Sequence, residues 1–143
     1  MPYTYPYPRP AVTTDALVVT RENEQHCLLL VERKYDPYKG KWALPGGFVD
    51  IDEDLPEACA RELKEETGIT GLFLQQFATF GRPGRDPRGR TISVVFWAFV
   101  PEKLRVTAGD DAARAKWFMI ENLPELAFDH EQIIEAFRKQ IGY

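Results

Sequence analysis

Residues 47–69 read GFVDIDEDLPEACARELKEETGI, and most of what we expect of this chain follows from that stretch. Asp54 is a favourable helix N-cap, and Pro56 is tolerated in the first turn. Gly68 supplies a C-terminal stop. The stretch therefore predicts a helix over residues 54–67.

Three glutamates of the predicted helix lie on one side of it. At 100° per residue, Glu65 lies about 60° to one side of Glu62, and Glu66 lies about 40° to the other. Carboxylates this close repel one another, and surface helices usually interleave lysines among them. A divalent cation such as Mg²⁺ or Mn²⁺ would explain the cluster, because these ions prefer carboxylate oxygens. For the helix taken alone, a solvated acidic face with Lys64 as a partner is the alternative.

Residues beside the cluster are candidates for supporting roles. Arg61 can pair with Glu57 one turn earlier, or it can hold a carboxylate across the turn in a fixed orientation. Glu53 precedes the helix and could face the same ion. The Gly46-Gly47 turn lets the backbone approach closely, so a carbonyl oxygen there could complete the coordination.

The spacing of these residues resembles a known family signature. The pattern GX5EX7REUXEEXGU, where U is an aliphatic residue, is the Nudix box, and the chain matches it at every position. Seven required identities at roughly 5–7% each make a chance match on the order of one in 10⁹ per starting point. The chain therefore resembles the Nudix hydrolase superfamily. The matching residues are Gly47, Glu53, Arg61, Glu62, Leu63, Glu65, Glu66, Gly68 and Ile69.

Less specific likenesses cover most of residues 12–134. The segment LVERKYDPYKGKWALPGG before the box, the loop FGRPGRDPRGR and the closing LAFDHEQII resemble the ADP-ribose pyrophosphatase-like branch. That branch includes sensor proteins that carry an added DNA-binding domain. The resemblance implies the Nudix fold, an α-β-α sandwich with a mixed central sheet in the α+β class. The order of strands and two separated helices favours the same class.

By position, the resemblance also implies roles for the box residues. The implied metal ligands are the carbonyl of Gly46 and the side chains of Glu62, Glu65 and Glu66. Mg²⁺ is the expected cofactor, with Mn²⁺ as an alternative. Such an ion neutralises a pyrophosphate, activates a water and stabilises the leaving phosphate. We expect more than one ion, because three clustered carboxylates overcompensate a single one.

The remaining catalytic roles are less settled. Arg61 would orient the carboxylates, and Glu53 would bind metal through water or assist as a base. In similar proteins an acidic residue often stands where this chain has Arg114, and that residue is a candidate base. Asp110 and Asp111 are the acidic residues nearby, so the base is expected to be Glu53 or Asp111, unless this member is slow. The catalytic candidates are Glu53, Arg61, Glu62, Glu65 and Asp111.

Four arginines crowd the loop at residues 81–90 of an otherwise acidic chain. A guanidinium fork suits phosphate or a terminal ribose, so this loop is a candidate substrate clamp. A solvated loop with Asp86 as a partner is the alternative. Phe128 and Tyr38 are aromatic candidates for stacking on adenine, although packing would also explain them. The substrate-binding candidates are Arg33, Arg82, Arg85, Arg88 and Phe128.

The other elements are predicted from turn signals and apolar patterning. Strands are predicted over residues 11–20, 27–31, 72–80, 91–100, 103–107 and 115–120. Asp129 is the predicted cap of a last helix that buries Ile134, Phe137 and Ile141. The opening MPYTYPYPRP has four prolines, which favours an extended arm. We therefore divide the chain into an arm at residues 1–10 and a single domain at residues 11–143.

Composition excludes several classes of protein. With 143 residues, 44% hydrophobic and 28% charged, the chain has the make-up of one globular domain. A net charge of −4 gives no overall basic field for nucleic acid or a membrane surface. Cys27 and Cys59 are too few for a disulfide scaffold. We therefore expect a soluble cytoplasmic protein. The resemblance implies that it binds a small nucleotide, and a homodimer and a monomer both stay open.

The leading functional hypothesis is metal-dependent hydrolysis of the pyrophosphate bond of a nucleoside diphosphate derivative, with ADP-ribose split into AMP and ribose 5-phosphate. Two alternatives stay open at this point. One is a Nudix enzyme for another nucleotide, such as a dinucleotide, a nucleotide sugar or a damaged nucleoside triphosphate. The other is a sensor that binds ADP-ribose without hydrolysing it.

Overall fold

Seven β-strands, two α-helices and a short 3-10 helix form within residues 2–109 and 112–142, which are the residues that this computed structural model describes. The strands are β1 Ala11–Glu22, β2 Gln25–Arg33, β3 Trp42–Ala43, β4 Gly46–Phe48, β5 Gln75–Phe80, β6 Thr91–Phe99 and β7 Ala112–Met119. The helices are α1 Leu55–Thr67 and α2 His130–Ile141, and the 3-10 helix is Ile120–Asn122.

Strand β1 organises the sheet because it pairs on both of its edges. It runs parallel to β6 along one edge, and on the other it pairs antiparallel with β4 near its start and with β2 near its end. The strands follow the order β3-β2-β1-β6-β5, with β7 antiparallel to β2. The sheet is therefore mixed, as predicted.

Each face of the sheet buries its own core. Along β1, Leu17 and Val19 belong to one buried cluster while Val18 belongs to the other, as alternation along a strand requires. Helix α2 covers the first cluster with Ile133, Ile134 and Phe137. Helix α1 covers the second with Cys59 and Leu63. The helices thus lie on opposite faces, which confirms the predicted α-β-α sandwich.

Helix α1 begins and ends where the sequence predicts. The Asp54 side chain accepts a hydrogen bond of 2.8 Å from the Leu55 N–H. Gly68 has a φ of +79° and donates its N–H to the carbonyl of Lys64. A left-handed residue after the last turn is the usual glycine stop.

The prediction of a strand at residues 103–107 is wrong, and that for Asp129 holds only in position, since Asp129 is the N-cap residue of α2. Residues 103–107 form no strand: Leu104 and Val106 pack against the core near α1, and the Thr107 N–H donates to the carbonyl of Thr67 at the helix end. Their alternation therefore reflects packing under a loop. Asp129 makes no capping hydrogen bond with its side chain, because the carboxylate is paired with Arg85.

Residues 2–10 form neither helix nor strand, and all of them are exposed. Cys27 and Cys59 are free and buried. Within the described residues, neither helix combines the length and apolar character needed to cross a membrane.

Candidate active site

The double glycine of β4 lies against the acidic face of α1. A Cβ atom on Gly47 would come within 2.6 Å of the Glu62 carboxyl group, and one on Gly46 would overlap the backbone of Thr14. Absence of these side chains is what allows the strand and the helix to approach so closely. Across this junction, the Gly46 N–H donates a hydrogen bond of 2.7 Å to Glu66 Oε1.

Arg61 holds the remaining carboxylates in place. Its Nε and Nη2 atoms donate to Glu53 at 2.9 and 2.6 Å, and its Nη1 donates to Glu62 at 2.7 Å and to Glu65 at 3.3 Å. Nη2 also donates to the carbonyl of Phe48, at 3.1 Å. One guanidinium therefore connects the turn, the start of the helix and two of its glutamates, a geometry that a planar fork supports and an ammonium does not.

Glu53 is the carboxylate that Arg61 binds most fully. Its pKa is lowered to about 2, first by hydrogen bonds from Arg61 and then by the bond of 2.8 Å from the Asp50 N–H. The same contacts raise the pKa of Arg61. A general base works best when its pKa lies near the working pH. Glu53 held in this way is better suited to orienting Arg61 than to accepting a proton.

The helix supplies a donor set that suits a hard divalent ion. Glu62 and Glu66 are mostly buried and lie beside the glycine pair of β4, whereas the Glu65 side chain is 47% exposed and contacts Arg61. Carboxylate and carbonyl oxygens are the ligands that Mg²⁺ and Mn²⁺ prefer. Within residues 2–109 and 112–142, no three acidic, histidine or cysteine side chains already converge on one point. The donor chemistry fits the ion, although Arg61 now engages part of the set.

A cavity opens beside this junction. Gly46, Gly47 and Glu66 form one side of it, so the cavity and the acidic helix share an edge. The polar residues lining the rest of it are Thr13, Asp15, Glu32, Arg33, Lys34, Tyr35, Arg85, Asp86, Arg88, Ser93 and His130. A nucleotide bound here would lie next to the predicted metal ligands.

The arginines predicted to bind substrate occupy different positions. Arg33 and Arg88 line the cavity and flank the Phe128 ring, with guanidinium carbons 4.9 and 4.8 Å from its centroid. Phe128 also lines the cavity and contacts Tyr38 edge-on at 4.9 Å. Arg82 does not line the cavity and donates to Gln132 at 3.2 Å.

Two of the arginines are already bound to carboxylates. Arg85 is buried and donates through Nε and Nη2 to both oxygens of Asp129, at 2.8 and 2.7 Å. Arg88 makes the same type of paired contact with Asp86, at 3.1 and 2.8 Å. The alternative of an Asp86 partner therefore holds for Arg88. Arg85 is held by its two hydrogen bonds to Asp129, and it also lines the cavity.

Two cavity residues, Asp15 and His130, were not predicted as site residues. Burial raises the pKa of Asp15 to about 7, against the opposing effect of Arg85. Burial lowers the pKa of His130 to about 4, and its Nδ1 accepts a hydrogen bond of 3.0 Å from the Leu44 N–H. Asp15 stands among the residues TTDALVVT, where a single charged residue within an otherwise uncharged stretch was the available signal.

Arg114 lies away from the acidic face of α1. It is on β7 and donates to Glu32 on the adjacent strand β2, at 3.2 and 2.9 Å. The hydrogen bonds lower the pKa of Glu32. The predicted catalytic residue Asp111 lies outside the described residues, as does Asp110.

Comparisons with known proteins agree with this geometry. A family model described as the NUDIX domain matches residues 9–137. An ADP-ribose pyrophosphatase of Methanocaldococcus jannaschii is 44% identical over 133 residues, which cover 93% of this chain and 76% of that protein. An ADPR responsive transcriptional repressor of Acinetobacter baylyi is 37% identical over 133 residues, covering 90% of this chain and 53% of that protein.

A solved structure extends the likeness to three dimensions. The NUDIX domain of Shewanella oneidensis NrtR, complexed with ADP ribose, matches with a TM-score of 0.88 and 32% identity. The match covers 94% of this chain and 90% of that one. The similarity therefore extends over nearly the whole chain.

Proposed function

This chain belongs to the NUDIX domain family, and on that basis we propose that it is a divalent-metal-dependent pyrophosphohydrolase for ADP-ribose. Hydrolysis would give AMP and ribose 5-phosphate. The observation that carries the proposal is the junction of α1 and β4, where Glu66 of the box borders a cavity that arginines also line. The 44% identity to an ADP-ribose pyrophosphatase supports this substrate over other nucleotides.

Nudix hydrolases generally use divalent metal ions, and the finer proposal here is Mg²⁺, with Mn²⁺ as the alternative. Glu62, Glu65, Glu66 and the carbonyl of Gly46 would hold the ion. When bound, it would neutralise pyrophosphate charge and activate the attacking water. Arg61 orients Glu62 and Glu65 by donating hydrogen bonds to both from Nη1. The Gly46 N–H fixes Glu66, so the glutamates start from defined positions.

The cavity residues would bind the rest of the substrate. Arg33 and Arg88 supply positive charge near the phosphates, and Phe128 between them offers an aromatic edge or face. Guanidinium groups bind phosphate oxygens in pairs. Arg88 would do so while Asp86 holds it in place. The base remains a proposal between Asp111 and Glu53, and the low pKa of Glu53 favours Asp111.

The test is hydrolysis of ADP-ribose by purified protein, with the metal omitted and then restored. We expect AMP release that depends on Mg²⁺ or Mn²⁺. Glu65→Gln and Glu66→Gln should each lower kcat/KM by at least about a hundredfold, because each removes a charged metal ligand. Glu57→Gln is the matched control, since Glu57 is an exposed glutamate more than two turns earlier on α1. Absence of AMP from the wild type would reject the substrate, and full activity of both variants would reject the metal assignment.

A second function has a specific observation in its favour. The repressor relative, of which this chain matches about half, is described as responsive to ADPR. Arg114 also stands where an acidic residue often occurs, and it is engaged with Glu32. Tight ADP-ribose binding with negligible AMP release at saturating metal would favour a sensor. The same assay, read together with calorimetric binding, decides between the two.

Two finer points complete the proposal. The buried, unpaired cysteines suit a reducing compartment, which supports a cytoplasmic location. The domain is proposed to comprise residues 11–143, preceded by the arm at residues 1–10. The assembly is proposed to be a homodimer or a monomer, and sedimentation distinguishes these.

A further inference from the structure

Asp15 is a carboxylate set into the floor of the cavity. It lies on β1, opposite Gly46 of β4 and Val95 of β6, and its side chain is 8% exposed. Thr13, two residues earlier and therefore on the same face, also lines the cavity. A Cβ atom on Gly46 would overlap Asp15 Oδ1. The glycine that borders the metal-binding helix thus also leaves space above this carboxylate.

The contacts of Asp15 leave part of its hydrogen-bonding capacity open. The Ser93 hydroxyl is its polar neighbour and opposes the rise in its pKa. His130 Nε2 is 3.9 Å from Oδ1, which is beyond hydrogen-bond range. The nearby cation is Arg85, but two of its nitrogens are bound to Asp129 and Nη1 donates to Ser93 at 2.8 Å. A carboxylate can accept about four hydrogen bonds.

The charged residues that line the cavity indicate how a nucleotide is oriented within it. Arg33 and Arg88 lie beside Phe128, whereas Asp15 stands on the floor with Ser93 and Thr13. A phosphate is repelled by a buried carboxylate and attracted by guanidinium groups. Phosphate and carboxylate oxygens are both acceptors, so we expect the portion of a nucleotide that contacts Asp15 to be an uncharged hydrogen-bond donor.

We propose that Asp15 fixes the substrate by accepting a hydrogen bond from an uncharged donor of the nucleotide, either a ribose hydroxyl or the adenine amino group. This inference rests on the proposed function and specifies its substrate contacts. Asp15 is a specificity-determining residue in this account and takes no part in bond breaking. Burying a carboxylate costs folding free energy unless its hydrogen bonds are satisfied, which a bound ligand would do.

The experiment measures kcat and KM for ADP-ribose with Asp15→Ala and Asp15→Asn. A hydrogen bond to a charged group contributes about 1.5–3 kcal/mol, so Asp15→Ala should raise KM by roughly ten- to a hundredfold. The change in kcat should stay within about twofold, since the contact is the same before and during reaction. Asp15→Asn keeps the shape of the side chain and an acceptor oxygen, so its KM should lie between the values for wild type and Asp15→Ala. Thr20→Val, at a buried polar residue of β1 outside the cavity, is the matched control.

Substrate analogues identify the donor. One analogue has inosine in place of adenosine and so lacks the amino group, and the others each lack one ribose hydroxyl. The rise in KM caused by Asp15→Ala should disappear for the analogue that lacks the donor to Asp15. Thermal unfolding separates this role from a structural one: Asp15→Asn should unfold no earlier than wild type, because it removes a buried charge.

Two outcomes overturn the inference: an unchanged KM in both variants, or one and the same penalty on every analogue. Failure of the proposed function looks different, because wild type then releases no AMP. In that case calorimetry would measure ADP-ribose binding to wild type and to Asp15→Ala. A sensor that binds without hydrolysis should still lose affinity when the Asp15 hydrogen bond is removed.

Discussion

At the scale of single residues, Arg61 shows how much one side chain contributes to the candidate site. It donates to Glu53, Glu62, Glu65 and the Phe48 carbonyl, and so joins the turn of β4 to the second half of α1. The sequence left a choice between Glu57 and a carboxylate across the turn. In the structure Arg61 binds carboxylates other than Glu57, because the chain before α1 folds back and brings Glu53 to the guanidinium.

His130 carries a prediction about pH. Its pKa is about 4 in the folded protein, and the usual value is 6.5. Below pH 6.5 this histidine is protonated in the unfolded chain, but in the folded chain it is protonated only below about pH 4. The free energy of unfolding therefore falls as the pH falls from 6.5 to about 4. The loss is at most about 3 kcal/mol. Urea unfolding should show it in wild type and not in His130→Gln. A His130 resonance that titrates near 6.5 in NMR would contradict the prediction.

Not all of the site residues could be predicted from sequence. The box predicted Glu62, Glu65 and Glu66 as a group, because helix geometry alone places them on one face. The sequence could not indicate that Arg85 binds Asp129, which lies 44 residues away, since a long-range ion pair leaves no local pattern. Asp15 was missed for the same reason: it reaches the cavity through the pairing of β1 with β4 and β6.

At the scale of elements, the end of α1 is tied to the loop that precedes β7. The Thr107 and Gly109 N–H groups donate to the carbonyls of Thr67 and Glu66, at 2.9 and 3.2 Å. These carbonyls belong to the last turn, which has no partners within the helix. A Cβ atom on Gly109 would overlap the carbonyl of Glu65. The loop thus contacts the backbone of the same turn that carries two predicted metal ligands.

We therefore expect Gly109→Ala to disturb α1. The added methyl must displace backbone, so the free energy of unfolding should fall by about 1–3 kcal/mol. Mn²⁺ affinity, measured by electron paramagnetic resonance, should fall with it, because Glu65 and Glu66 shift. Gly81→Ala is the control, since its Cβ atom would have 3.6 Å to its nearest neighbour, Ile92. Unchanged stability and Mn²⁺ affinity in Gly109→Ala would contradict this role of the loop.

Elements were predictable where a local rule sets them. The N-cap and glycine stop of α1 are local, and both boundaries are confirmed. The expected strand at residues 103–107 failed because its alternating Leu104 and Val106 pack near α1 while the Trp117 indole binds the Leu104 carbonyl. Period-two patterning indicates one buried face, and pairing with another strand is a separate, long-range condition.

At the scale of the whole molecule, the two helices lie on opposite faces of one sheet, and the cavity opens where β1, β2 and β4 meet. This arrangement lets α1 carry the acidic residues while residues 81–90 and the chain before α2 supply Arg88 and Phe128. The mixed sheet and family likeness were predictable from the box. The division of the cavity into an acidic floor and an arginine-lined side required the tertiary structure.

The N-terminal arm gives the last prediction, since residues 2–10 are all exposed. Its aromatic side chains contact one another and Arg9: the Arg9 guanidinium lies 3.9 Å from the Tyr5 ring, which stacks on Tyr3. Deleting residues 2–8 should therefore shift Tm by no more than about 2 °C and leave kcat/KM unchanged. Sedimentation of both proteins shows whether the arm joins subunits, because a dimer would then become a monomer. A fall in Tm of about 5 °C or more without a change in assembly would show that the arm belongs to the folded domain.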